Sequence, residues 1–499
     1  MTPPGARWRS TLAAVAVGLL AAGTAWWRLG PVARGTVWAE DGGLFHREHL
    51  ALGSLGSLFH PYAGYLHLGP RLVVDAAFLL PVEWYALAVS ATCCLLVGGV
   101  SAAVFVLARD VVPAWPLRLV LAAVPVLLPT APWEVTGNAA NLHTFGLFLA
   151  PWLFAHRART LPGALVLALV TVLVVGTEAQ AVLFLPLLLL SWSGRPADPA
   201  RTVAAAHPPA TGLPAGRRRS PRLLALPVTV AALVTGAAQV VTALTTERES
   251  APGDPTARDV VSGFLAQTVG GLWRADVAAV GRAVVAHGWV VVAVPAVVLG
   301  VLLVLSVAVA LRGGRRRTAV LVAALAVSSG VVWTAALVAN ASANGRWSRS
   351  APASLLDGTP SRYAAAAGLL LTAALVVAAA VLVDAPARAA GVRPASLPGR
   401  AAADAPTRAS TGPAEVGRDR TGGASRLVLA AAGWCLVALL VTSWVTNLPG
   451  ASQRDAGPTW QPQFADALAT CRADPDGVLR IRAQPWSSRV PCALVLRDR

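Results

Sequence analysis

The chain has 499 residues, 56% of them hydrophobic and only 13% charged, about half the charged share of a soluble globular domain. A soluble enzyme is excluded and an integral membrane protein is indicated. The formal charge is +17, and the sequence contains no lysine, so all 41 basic residues are arginine. They fall between apolar runs rather than along one stripe, which excludes a nucleic-acid partner and reads instead as a topology signal.

A membrane span needs about 20 predominantly apolar residues. Such runs lie near 10–29, 82–108, 117–132, 141–155, 161–177, 178–192, 223–244, 284–311, 318–339, 363–383 and 426–446. The expected fold is therefore an all-α polytopic membrane protein of about eleven transmembrane helices within 1–446. Arg7 and Arg9 before the first run resemble a signal peptide, but no small-residue cleavage site follows, so the first helix is read as retained. The runs 161–177 and 178–192 adjoin at Gly176-Thr177-Glu178, where either could tilt, re-enter or merge with the other. Eleven spans put the N-terminus in the cytoplasm and the C-terminus outside the cytoplasmic (plasma) membrane. The segments then placed inside carry 23 arginines against 6 acids, the whole +17 excess, as the positive-inside rule expects. Arg217-Arg218-Arg219 and Arg315-Arg316-Arg317 read as anchors to anionic headgroups of the bilayer. The cytoplasmic loops 193–222 and 384–426, rich in Pro, Ala, Gly and Arg, read as disordered linkers.

Polar side chains concentrate in a long first extracytoplasmic loop, 30–81. It holds the acidic pair Glu40-Asp41, the histidines His46, His49, His60 and His67, and the aromatics Trp38, Tyr62 and Tyr65. A carboxylate beside an apolar surface has its pKa raised toward the range useful to a general base. Neighbouring residues on a helix point different ways, so the pair divides its roles; capping of a helix that turns at Gly42-Gly43 is the competing structural account. His46 and His49 share a helical spacing, but no cysteine or second carboxylate completes a zinc set. A divalent cation held by Glu40 or Asp41 with a phosphate is the one metal arrangement left open. His67 and Arg71 are four apart on one face of a short helix, with Pro70 in its first turn. Arg71 either forks onto a phosphate or snorkels.

Later outside loops add Glu134, Asn138, Asn141 and His143, then Glu178, then an amphipathic run from Asp259 to Trp273 that suits the membrane interface. Arg362-Tyr363 opens a span from the outside. An arginine there opposes the charge rule, so it calls for an anionic partner, either a lipid-linked phosphate or Asp357. The tail 447–499 is a small extracytoplasmic module with a helical stretch at Trp460–Cys471 and strand-like alternation at 478–482 and 492–496. Cys471 and Cys492 are expected to form a disulfide across it; Cys93, Cys94 and Cys435 lie in apolar runs and pack as small hydrophobes.

The arrangement resembles the GT-C superfamily of integral membrane glycosyltransferases, whose members use polyprenyl-phosphate sugars and place an acidic pair in the first long extracytoplasmic loop. The matching features are Glu40-Asp41 within Trp38-Ala39-Glu40-Asp41-Gly42, the segment Tyr62 to Arg71, the eleven spans and the outside arginines. The chain is also similar to multi-spanning proteins of high-GC actinobacteria in its use of arginine for lysine. The resemblance implies Asp41 as base, Glu40 as metal or acceptor ligand and Glu134 as second acid. Tyr62, Tyr65, His67, Arg71, Asn141, His143, Arg362 and Tyr363 would then bind a polyprenyl-phosphate-linked sugar and a glycan, lipid or protein acceptor. Trp26-Trp27-Arg28 lacks the acid of the Trp-Trp-Asp motif, which sets the oligosaccharyltransferase branch aside. The rival classes are a transporter or flippase, disfavoured by spans nearly bare of charge, and a non-catalytic scaffold for envelope assembly.

Overall fold

The computed structural model describes residues 4–193, 223–248, 251–348, 355–389 and 420–497. Seven of its helices are long and apolar enough to cross a membrane: Trp8–Arg34, Val82–Asp110, Leu226–Thr245, Val290–Arg312, Arg316–Ala339, Arg362–Ala385 and Ala424–Thr446. Four further expected spans are shorter apolar helices, Trp115–Leu127, Leu142–Ala155, Leu161–Val175 and Ala179–Trp192. Local chemistry sets their ends. Leu128 precedes Pro129 and is pushed into an extended conformation (φ −52°, ψ 125°), as a residue before proline must be. His156 (φ −75°, ψ 146°) stops the next helix. The segment Ala179–Leu187 winds as a 3-10 helix before Leu188–Trp192 turns α. The tighter winding rises about 2.0 Å per residue against 1.5 Å, so these fourteen residues reach roughly 25 Å.

Polar contacts tie ends of the short helices to the rest of the body. At one end Arg159 meets Asp110 at 2.8 Å, His156 meets the Leu107 carbonyl at 3.3 Å, and Arg317 donates to the Ala155 carbonyl. At the other end the ring of His67 lies against the carbonyls of Ala140 and Thr177. In the middle stands Arg362–Ala385, almost wholly buried and packed against Val290–Arg312, Arg316–Ala339 and Arg420–Thr446. Its Ala-rich first turns let neighbours approach closely, the usual basis of helix packing in lipid.

The first loop is mostly helical. The first helix breaks at Gly30 (φ 69°) before Pro31. A wide π-turn covers Asp41–Phe45, and helices follow at His46–Leu58 and Leu68–Ala77. The run from Asp259 does not lie on the surface as its amphipathic pattern suggested. It forms Ala257–Gly263, a wide turn Phe264–Val269 and a 3-10 turn Gly270–Leu272, and Ala266 through Leu272 are buried in the body. Polar Gln267 is the reason: it bonds the Thr359 carbonyl (3.2 Å) and the Ser361 N–H (3.1 Å) and so holds the entry to the central helix.

Beyond the last long helix, the chain forms a 3-10 turn Gln461–Phe464, a helix Ala467–Ala473, and strands β1 (Val478–Arg482) and β2 (Ser487–Pro491), paired antiparallel. Cys492–Arg497, expected as a strand from its alternation, is a short helix. The hairpin turn at Pro485 places the second strand earlier, and the disulfide Cys471–Cys492 (Cα–Cα 5.0 Å) ties the last helix to Ala467–Ala473. The module is keyed into the first loop. Trp460, fully buried, donates from its indole to the Val82 carbonyl at 2.8 Å and from its backbone to Gly35 at 2.7 Å. Of the linkers read as disordered, only 193, 384–389 and 420–426 are described; the last two pieces are helical, and the rest lies outside the described residues.

Candidate functional site

The acidic pair is divided between two environments. Asp41 is fully buried, and its two oxygens accept the backbone N–H groups of Ala139 (2.8 Å) and Ala140 (2.9 Å). Burial pushes its carboxyl up to about 7, against the pull of those two bonds and of Arg454. Arg454, also buried, donates to the carbonyls of Thr36 (3.3 Å), Gly137 (3.0 Å) and Thr136 (2.7 Å). Together Asp41 and Arg454 fasten the 136–140 loop to the first loop. Both Asp41 oxygens are thus taken by N–H donors, and among the described residues no three metal-ligating side chains meet.

Glu40 turns the other way. Its Oε1 accepts from the Tyr62 hydroxyl at 3.2 Å and stands 3.5 Å from Nη1 of Arg362. The same Nη1 lies 3.3 Å from Oε1 of Glu134. Glu40 Oε2 has no hydrogen-bond partner among the described residues. The three side chains are 8%, 31% and 13% exposed for Glu40, Arg362 and Glu134, so the guanidinium is the opening to the cluster. Burial raises the Glu134 carboxyl above its ordinary value, with Arg362 opposing the shift. Tyr363 completes the group, its hydroxyl accepting from Arg362 Nη2 at 3.3 Å. Asp357 is not among the partners of Arg362.

Tyr62 and Tyr65 arrive on one tight turn. Their backbones exchange hydrogen bonds (2.8 and 3.0 Å) across Ala63 (φ 48°) and Gly64 (φ 85°), a geometry that favours glycine. The rings continue inward, Tyr62 and Tyr65 lying 5.1 and 5.3 Å from His67, which lies 5.6 Å from His143. His67 touches the carbonyls of Thr177 (3.0 Å) and Ala140 (3.1 Å); burial pushes it down to about 3, so the ring is neutral and donates to one of them at a time. His143 Nδ1 is 2.5 Å from Glu178 Oε2, while Glu178 Oε1 accepts from the Gln180 N–H that starts the next helix. Burial also raises both tyrosine hydroxyls. Asn141 and Asn138 bond each other and the Glu134 carbonyl, shaping the loop that carries Glu134.

The remaining candidates lie elsewhere. Arg71 is buried inside the first loop, paired with Glu48 and seated over the Phe45 ring at 4.5 Å. It neither snorkels nor faces the Glu40 cluster. His49 pairs with Asp75 at 2.6 Å, and His46 contacts Ser488 Oγ at 3.2 Å. Four residues were not anticipated: Arg454, Gln267, Glu48 and Gln239, the last bonding both backbone groups of Leu66 and the Val175 carbonyl. No local pattern marks any of them.

An open cleft of about 1220 Å³ lies between the first loop and the C-terminal hairpin, lined among others by Arg47, Tyr62, Arg480, Arg482 and Trp486. Gly42-Gly43 makes the close approach possible: a Cβ on Gly43 would stand 2.8 Å from the Trp486 ring, and one on Gly42 would stand 3.1 Å from Ala483. Tyr62 belongs both to this cleft and to the Glu40 cluster.

No protein-family model, no curated protein and no solved structure matches this chain.

Proposed function

We propose that the protein is a membrane glycosyltransferase that moves a sugar from a polyprenyl-phosphate donor to an acceptor on the outer face of the cytoplasmic membrane. In this reading the seven long and four short apolar helices make eleven crossings. The N-terminus is then cytoplasmic, and the Glu40 cluster lies on the arginine-poor, outer side. The observation that carries the proposal is the meeting of Glu40, Glu134 and Tyr363 on one partly exposed guanidinium, with Tyr62 linking Glu40 to the edge of a large cleft.

Glu40, rather than Asp41, is the general base, because its Oε2 is uncommitted while both Asp41 oxygens are occupied. The acceptor oxygen attacks the anomeric carbon, its proton passes to Glu40, and the anomeric carbon–oxygen bond to the polyprenyl phosphate breaks. Protonation cancels the charge with which Glu40 holds Arg362, which frees the guanidinium to meet the departing phosphate. Glu134 orients the acceptor hydroxyl. Transfer is direct and inverting, since a covalent route would need a separate nucleophile.

The test is Glu40→Gln in a transfer assay on membranes supplied with polyprenyl-phosphate sugars. A missing general base costs on the order of 10²–10⁴ in rate. Undiminished transfer by this variant rejects the assignment.

A further inference from the structure

Four arginines of the cleft have no carboxylate partner among the described residues: Arg47 on the first-loop wall, and Arg480, Arg482 and Arg489 on the hairpin. The three hairpin arginines share the exposed face, and Arg480 and Arg489 stand directly opposite each other in the strand register. Like charges at opposed positions destabilise a strand pair, so this face gains from an anion between them. No acidic residue occurs anywhere from 477 to 497 to supply one. Of the two acids on the cleft wall, Glu48 is committed to Arg71, which leaves Glu247.

Trp486 supplies the second element. Its side of the cleft is fixed by the close packing on Gly43 and by the hydrogen bond from the Ala483 N–H to the Trp486 carbonyl (2.8 Å), yet the residue is 50% exposed. A flat, half-exposed indole beside guanidinium forks suits the apolar face of a sugar ring whose carboxylate or phosphate is gripped at its edge. The cleft of about 1220 Å³ adjoins a hollow of about 600 Å³ lined by Arg47, Arg480 and Arg489, more room than a drug-sized ligand occupies.

We propose that this cleft binds an acidic saccharide chain, stacked on Trp486, held by Arg47, Arg480, Arg482 and Arg489, and ending at Tyr62. The binding stands on the cleft alone; that the chain is the acceptor for transfer rests on the reading of Glu40 as base.

The full-length protein in detergent is titrated with four probes: a labelled oligogalacturonide, a phosphodiester-bearing oligosaccharide, the neutral methyl ester of the first, and phosphatidylglycerol vesicles. At least one acidic saccharide binds, more weakly as salt rises, and the ester does not; which acidic probe binds tells carboxylate from phosphodiester. Arg480→Ala with Arg482→Ala weakens binding by about tenfold per guanidinium removed, and Trp486→Ala weakens it as well. Should the double variant misfold, Arg47→Ala on the opposite wall gives the same reading. Binding of neither acidic saccharide, equal binding of the ester, indifference to the variants, or capture of the vesicles alone overturns the proposal. Repeating the titration on Glu40→Gln separates the two claims. Saccharide binding that survives while transfer is unaffected refutes only the base, and transfer by the unaltered protein without saccharide binding refutes only the cleft.

Discussion

Asp41→Asn keeps the shape of a buried side chain and removes its charge. In the unaltered protein the carboxylate takes two backbone N–H groups at 2.8 and 2.9 Å, and burial raises its pKa from 3.8 to about 7. A folded-state pKa above the unfolded value means that the folded chain holds the extra proton between the two values. The stabilisation is therefore fully present below about pH 4 and is lost as pH rises to about 7. At about 1.4 kcal/mol per pKa unit, a shift of about three units sets a ceiling of about 4 kcal/mol on that loss. Asparagine does not titrate, so its curve lacks this slope. It meets a fixed cost instead, because its amide N–H₂ faces one of the two backbone donors and leaves it unpaired, about 1–3 kcal/mol. The assay is unfolding of the detergent-solubilised full chain, by heat or by SDS titration, at a series of pH values from about 4 to 8. Histidines and other acids titrate alike in both proteins and cancel in the difference. The variant should be clearly the less stable of the two at low pH and recover relative to the unaltered protein by up to about 4 kcal/mol near pH 8. Parallel curves would mean that Asp41 does not change its protonation on folding, and the account of it as a buried fastening for 139–140 would fail.

Two further perturbations probe the pairings around it. Arg362→Ala leaves Glu40 and Glu134 buried without their shared cation and should cost about 3–5 kcal/mol. Glu134→Gln added to it should restore part of that loss, and strict additivity in the double-mutant cycle would show that the two do not share the guanidinium. Arg454→Met removes three donors to buried carbonyls and the cation beside Asp41. A loss of at least about 2 kcal/mol is expected, with faster proteolysis of the C-terminal module, and an unchanged melting temperature would contradict the role given to Arg454.

What could be read from the sequence, and what could not, follows from how few polar groups this chain has. In an apolar body each charged side chain must find a partner, so position along the chain identified the participants: Glu40, Tyr62, Glu134, Arg362 and Tyr363 do gather, and Cys471 does meet Cys492. The pairings are another matter, because they join residues remote in sequence. For Arg362 the sequence offers a lipid-linked phosphate or nearby Asp357, and the side chain reaches Glu40 and Glu134, 322 and 228 positions away. For Arg71 it offers a phosphate or the membrane interface, and the side chain pairs with Glu48. Which member of Glu40-Asp41 faces the cluster depends on the N–H groups of Ala139 and Ala140, almost a hundred residues on, and no local rule supplies that. The same limit explains the tail. A five-residue apolar run such as Cys492 to Leu496 fits helix or strand equally by pattern, and only the disulfide and the hairpin before it decide for the helix. The site is thus a set of legible residues with illegible neighbours. Adjacent acids such as Glu40 and Asp41 offer the same chemistry, and only their distant partners tell them apart.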